Sequence, residues 1–396
     1  MSETRKKRVL LASIAPPLND CGVRVVLHRH LVERNPFELH VVTNADFYRD
    51  NPGGTQLTLP SPLQRLRKSR FGPALSPWLM DYETQIWPLT NPRKFDEAVE
   101  RFQPDVILAL ADNCLSSFAL RAARKLKIPL AGLFLDWVPI MKGLHGHAWT
   151  QSRLSRRFEV FYRECDLAFC TSDGMQDVLG AHPNSHVIYP MPGRHRVPEN
   201  ISPPKRGKFR LVYVGSVENF YGRMICSVIE KMSPLTDLEI IVVGPNADWP
   251  AEILERAKAN GVYLGFKPPA EAASVLAGAD ALLVVMSFEP EHRRFMETSF
   301  TTKFLDYSAY GKPVILWGPD YCTPTRVARR DGGALVVNTP QADEVLAACR
   351  KIATDIAARE TFAQQAKNLH TGLFNPDRLQ NIFVREMEKL ATAKRR

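Results

Sequence analysis

Lys303 and Asp306 stand one helical turn apart in TKFLDYSAYGKPVIL, where Phe304, Leu305 and Ser308 are spaced for one face of a helix. Gly311 sits where a helix C-terminus wants a left-handed residue, and Pro313 to Trp317 reads as a strand. A cation and a carboxylate sharing the face that meets a ligand can hold it by charge and hydrogen bonds. Taken alone, the pair reads first as a solvated surface salt bridge. Upstream, Ala281 to Met286 is an apolar run with the length and β-branched content of a strand buried on both faces of a parallel sheet. Strand, polar loop, helix and strand form a βαβ unit, and ligands bind such units at the carboxyl ends of the strands. The loop after Met286 and the start of the helix are therefore expected at a site.

The same segment resembles the signature of the retaining group 1 (family 4-like) glycosyltransferases. The resemblance implies an α/β chain of the GT-B fold, two Rossmann-like domains facing across a cleft. It implies that Asp306 accepts hydrogen bonds from the ribose of a nucleotide-sugar donor, a task suited to a carboxylate because it accepts from two adjacent hydroxyls at once. The family's other acid, implied to hold a hydroxyl of the donor sugar, falls on Thr298 with Glu297 beside it. Glu289 and Glu297 repeat the family's acid-to-acid spacing in a different frame relative to Gly311. In many relatives an Arg and a Lys after a glycine turn neutralise the donor diphosphate. Here the equivalent turn, Gly215, is followed by Ser216 and then Tyr221. Arg223 or Lys303, helped by helix N-terminal amides, are the candidates to replace that clamp.

Those residues need two sets of strands and helices to position them, and the chain supplies both. Arg8 to Ser13 reads as a buried strand, and Gly22 enters a helix with Val25, Val26, His28 and Leu31 at helical spacing. By resemblance the loop at Gly22 approaches the donor; on its own the glycine serves equally for close helix-to-sheet packing. Glu38 to Thr43, Asp105 to Leu110, Leu130 to Asp136 and Leu167 to Ser172 are further strands, the last three followed by the polar residues Asp112, Asp136 and Ser172. The family's acceptor-side residue falls on Asp136, whose other reading is a turn cap. Asn44 to Arg93 reads as a long irregular stretch. It carries Arg65, Arg67, Lys68 and Arg70, followed by Phe71, Trp78, Tyr82 and Trp87. Basic residues with aromatics suit an anionic membrane or a polymeric acceptor, or else form a solvated loop over an aromatic core.

Residues 1–190 are expected as an acceptor-binding domain, 191–208 as a Pro-rich linker, 209–375 as the nucleotide-sugar domain and 376–396 as a helix crossing back to the first. In the second domain Leu211 to Val214, Leu238 to Gly244, Val262 to Phe266 and Ala334 to Val337 read as strands, and Lys267 to Ala279 as a short helix. The 396 residues carry a net charge of +10, with 24 basic and 19 acidic residues up to Pro190 and 28 and 23 beyond it, so each half holds +5. An excess so spread argues against a dedicated nucleic-acid arm and fits anionic donors, lipids or membranes. Seven scattered cysteines without a C-x-x-C pair suggest free thiols in a reducing cytosol. The N-terminus reads as neither signal peptide nor span, so a cytoplasmic protein, peripheral on the inner face of the membrane if the basic cluster docks there, is expected.

No two aspartates lie two positions apart and no Cys/His cluster offers a metal site. The reading is a metal-independent glycosyltransferase without cofactor, moving a sugar from a nucleotide-sugar to a glycan, lipid-linked or other acceptor. A nucleotide-sugar epimerase of the same fold is the rival enzyme. A non-catalytic nucleotide- or glycan-binding protein is the rival of another class, favoured by Ser216, Tyr221 and Thr298.

Overall fold

The computed structural model describes residues 5–20, 22–45, 53–90, 93–112, 114–140, 146–193 and 207–393. The chain divides into two compact units, Met1–Tyr189 with Leu379–Arg396, and Pro190–Arg378. Of the stretch read as a linker, residues 194–206 lie outside the described residues.

The first unit runs β1 (Arg8–Ala12), α1 (Gly22–His28), β2 (Glu38–Thr43), β3 (Gly54–Gln56), α2 (Ser61–Lys68), α3 (Gly72–Asp81), α4 (Arg93–Phe102), β4 (Val106–Leu110), α5 (Leu115–Leu126), β5 (Leu130–Phe134), α6 (Gln151–Glu164), β6 (Leu167–Cys170), α7 (Asp173–Leu179) and β7 (Ser185–Val187). Its strands lie in the order β3-β2-β1-β4-β5-β6-β7, and every pairing is parallel. Parallel strands covered on both faces must be apolar throughout, which is why VILAL and LAGLF carry no polar alternation and are wholly buried.

The second unit runs β8 (Phe209–Val214), α8 (Asn219–Met232), β9 (Leu238–Val243), α9 (Ala251–Ala259), α10 (Pro269–Ala277), β10 (Ala281–Val285), α11 (Arg293–Thr298), α12 (Thr302–Ser308), β11 (Val314–Trp317), α13 (Thr323–Asp331), β12 (Leu335–Val337), α14 (Ala342–Thr354) and α15 (Ile356–Thr371). Its sheet, again parallel throughout, has the order β12-β11-β10-β8-β9. α16 (Pro376–Thr392) begins in this unit and, from Leu379 on, belongs to the first.

Two readings of the sequence need correction. Val262 to Phe266 forms only a single bridge, Val242 to Tyr263, although Leu264 N–H still donates to Val242 O at 2.9 Å. Within the stretch Asn44 to Arg93 the described residues are not irregular: they hold β3, α2, α3 and two short turns of helix, Tyr82–Ile86 and Trp87–Leu89. Pro62, Pro73 and Pro88 stand in the first turns of these segments, where a missing N–H costs nothing. Read along the sequence, such prolines look like loop.

Candidate functional site

The strand order of the second sheet reverses between β8 and β10, because the chain leaves β8 toward β9 on one side and returns to β10 on the other. A parallel sheet opens a ligand crevice at such a point. β8 and β10 pair only at Ala281–Leu211 and Leu282–Val212, so their carboxyl ends part. Tyr307 of α12 fills the gap. Its hydroxyl donates to Val214 O and accepts from Val214 N–H, both at 2.9 Å, which pins α12 to the end of β8.

That anchorage brings Lys303 over the turn at Gly215. The turn has φ +147°, and a Cβ there would lie 2.1 Å from Lys303 Cε, so glycine is needed both for the backbone and for the approach of the side chain. Nζ lies 4.6 Å from the ring centre of Tyr221 and 5.5 Å from that of Tyr213, a cation held by two aromatic faces. Burial holds the ammonium down to about 8, against the opposite pull of Asp306. Among the described residues no carboxylate reaches it within ion-pair distance. Tyr221, which in the sequence marked only a missing lysine, thus offers its ring face to Lys303. Ser216 is exposed and contributes its carbonyl, which accepts from Tyr213 OH at 2.5 Å. Asp306 is half-buried, with Oδ1 accepting from Gly193 N–H at 2.9 Å.

The structure separates the other candidates. Arg223 is engaged elsewhere in this structure: its guanidinium, exposed, grips Glu289 through Nε at 3.1 Å and Nη2 at 2.5 Å. Glu289 follows β10 at the same crevice and lies 3.3 Å from His292 Nδ1. Thr298 is wholly buried and its hydroxyl donates to Arg294 O at 2.8 Å, one turn back in α11, so it is a packing residue rather than a sugar ligand. Glu297 pairs with Arg293 at 2.7 Å and Arg294 at 3.7 Å along the same helix.

The first sheet reverses between β1 and β4, and there Asp112 is buried. It accepts the N–H groups of Ile14, Cys114 and Ser116, tying the two strand ends together. Burial pushes its carboxyl up to about 6 despite those bonds. A cavity of about 300 Å³ opens beside it, lined by Ile14, Asn44, Arg67, Glu83, Cys114 and Val138 among others. Glu83, buried, accepts from Asn44 Nδ2 at 2.7 Å and from Arg67 Nη2 at 2.5 Å. No sequence signal marks Glu83. Asp136 lies in the turn after β5, where its carbonyl accepts from Val138 N–H at 2.9 Å. Gly22 has φ +50° with nothing within 4 Å of a Cβ, so it serves backbone conformation rather than close packing.

The basic cluster is also revised. Arg65, Lys68 and Arg70 are exposed, but Arg67 is spent on Glu83, an acid beyond the sequence neighbours that left the cluster without a counter-charge. Phe71 and Trp78 are exposed, whereas Trp87 is buried against Phe118. Among the described residues no three His, Cys, Asp or Glu side chains gather as a metal site, and no helix is long and apolar enough to cross a membrane. The six described cysteines are buried and free.

Residues 23–191 match the model of Glycosyltransferase Family 4. HepE of Anabaena, solved in complex with UDP, superposes with a TM-score of 0.69 at 15% identity, covering 97% of this chain and 100% of its own. The chain has the GT-B glycosyltransferase fold. Sucrose-phosphate synthase from Thermosynechococcus elongatus agrees, with a TM-score of 0.64 at 13% identity over 98% of this chain and 99% of its own. A putative UDP-N-acetylglucosamine 2-epimerase from Listeria monocytogenes gives 0.54 at 11% identity over 99% and 98%. No curated protein matches the sequence. The family match lies in the first unit and the Lys303–Asp306 segment in the second, so the two support the GT-B fold independently.

Proposed function

We propose that the protein moves a sugar from a nucleotide-sugar donor to an acceptor, with the second unit holding the donor. One observation carries the reading: the Lys303 ammonium, with no carboxylate within ion-pair distance among the described residues, stands over the Gly215 turn at the crevice of a parallel sheet, one helical turn from Asp306. A diphosphate placed there meets a partly desolvated cation, which stabilises the charge that grows on the leaving group. Asp306, one turn along the same helix, is the carboxylate that would accept from the ribose hydroxyls. The sugar–phosphate oxygen bond breaks as the acceptor hydroxyl bonds to the anomeric carbon on the same face, and the acceptor's proton passes to the departing phosphate. With Lys303 meeting the diphosphate, this retaining course needs no divalent cation, and activity in EDTA tests that point.

HepE and its UDP-glucose complex make uridine diphosphate sugars the first donors to try. A screen of nucleotide-sugars by thermal shift is the direct test, since a ligand at 100 times its Kd stabilises by about 2.7 kcal/mol. If none shifts the unfolding temperature, the donor reading fails. The epimerase neighbours keep one rival open: turnover of a nucleotide-sugar alone, without acceptor, identifies an epimerase. For the acceptor, Arg65, Lys68 and Arg70 beside Phe71 and Trp78 favour a lipid-linked substrate met at an anionic membrane. Flotation with anionic vesicles at low salt, compared between wild type and the Arg65→Gln/Lys68→Gln/Arg70→Gln variant, checks this; equal flotation rejects it.

A further inference from the structure

Where α5 and α6 pack beside the turn Trp87–Leu89, a surface pocket of about 340 Å³ is lined by four arginines, Arg121, Arg153, Arg156 and Arg157, and by apolar side chains including Leu89 and Phe161. Its volume falls in the range of small-molecule sites. Among the described residues no carboxylate lines it. Asp96 acts on Arg121 from outside but is itself bonded to Lys125 at 3.1 Å. Arg121 and Arg157 are fixed by the backbone: Arg121 donates to Thr90 O, and Arg157 donates to Thr84 O and Gln85 O. The buried Nε of Arg121 has no acceptor among the described residues. Arg153 and Arg156 have neither hydrogen bond nor ion pair there. Burial holds the two fixed guanidinium groups below their usual range, with the neighbouring Arg153 adding to the effect on Arg157 and Asp96 opposing it on Arg121.

Four converging guanidinium groups repel one another unless an anion sits among them, and their forked donors match phosphate oxygens in pairs. An inorganic anion would have no use for the apolar wall, where Leu89 is 70% exposed. A neutral hydrocarbon would have no use for the arginines. We propose that this pocket binds an anionic amphiphile, a phosphate or diphosphate ester on a hydrocarbon chain, with its head on the four arginines and its first carbons on Leu89 and Phe161. The inference does not rest on the donor site, because binding is read without nucleotide or turnover.

The test uses the full chain carrying Lys303→Met, so that a diphosphate is not counted at the donor crevice. Calorimetry at low salt with geranyl diphosphate, pyrophosphate and geraniol separates head from tail. Geranyl diphosphate is expected to bind at least tenfold tighter than pyrophosphate, and geraniol not at all. Adding Arg153→Gln with Arg156→Gln, two exposed positions without hydrogen bond or ion pair among the described residues, is expected to weaken geranyl diphosphate at least tenfold with the circular dichroism unchanged. Adding Leu89→Asn instead is expected to weaken geranyl diphosphate and leave pyrophosphate alone. Co-sedimentation with phosphatidylcholine vesicles containing phosphatidic acid then identifies the source. Loss in the double variant assigns the head to a bilayer lipid, and retention alongside lost geranyl diphosphate binding assigns it to a dispersed ester. If the double variant matches the parent with both probes, or if pyrophosphate binds as tightly as geranyl diphosphate, the proposal is wrong.

Discussion

A lysine whose ammonium is held down to about 8 changes charge within the range where nucleotide binding is measured. Below that value Lys303 is protonated and attracts a diphosphate; above it the attraction is lost. UDP affinity is therefore expected to be level below about pH 7 and to fall as pH rises through 8, with the decline displaced upward in the complex because the bound anion favours the charged form. Lys303→Met should lower affinity at pH 7 and flatten the profile. A wild-type affinity that stays level to pH 9.5 removes Lys303 from the diphosphate. Asp306→Ala should cost about 1.5 to 3 kcal/mol of nucleotide affinity, the range for hydrogen bonds to a charged group, and unchanged affinity in a folded variant removes it from the ribose. This pair was legible in the sequence because both members sit on one short helix. The aromatic faces of Tyr213 and Tyr221 were not, since their approach to Nζ depends on where α8 leaves β8. Thr298 misled because spacing along the chain says nothing about burial.

At the scale of elements, the crevice exists because β8 and β10 stop pairing two residues into the ladder and a side chain of α12 takes over. Tyr307→Phe keeps the ring and removes the oxygen, leaving the partly buried Val214 N–H and C=O without their partner. Unsatisfied buried groups cost roughly 1 to 3 kcal/mol each. The variant is expected to lose about 2 to 5 kcal/mol in denaturant titration and to bind nucleotide more weakly, because α12 carries Lys303 and Asp306. Stability within 0.5 kcal/mol of wild type would mean that water replaces the hydroxyl and that the tyrosine does not hold the helix. The longer strands were readable to within a residue or two, since buried parallel strands write themselves as unbroken apolar runs; the three-residue β3 and β7 were not, and Val262 to Phe266, read as a strand, forms one bridge. α2 and α3 were not readable: α2 fully buries no side chain and turns Leu63 to the core, too little of a stripe to announce it among prolines and charges. Arg67 was misjudged for a related reason. Its partner Glu83 is 16 residues away, brought to it by α3 and the turn that follows.

At the scale of the whole molecule, the chain leaves its second unit through α16 and finishes in the first. That helix buries Leu379, Phe383, Met387 and Leu390, and Phe383 stands 4.9 Å from the ring of His30 and 5.1 Å from that of Phe169. Gln380 clasps His30 twice, donating to its carbonyl at 3.0 Å and accepting from Nδ1 at 2.9 Å. The clasp uses neutral imidazole, and burial holds His30 down to about 4. Burying four apolar side chains contributes roughly 1.5 to 3 kcal/mol each, together about 6 to 12 kcal/mol, comparable with the whole stability of a domain. A chain ending at Asn375 is therefore expected to lose the fold of the first unit while retaining that of the second, seen in calorimetry as the loss of one transition and in limited proteolysis as a surviving fragment from about Lys208 onward. The imidazole adds a pH signature. Unfolded histidine takes up a proton near 6.5 and the folded one resists until about 4, so the first unit's stability is full above 6.5 and declines as pH falls between those values. His30→Leu should remove that part of the decline. If the truncated chain keeps both transitions, the last helix is an appendage rather than a strut of the first unit.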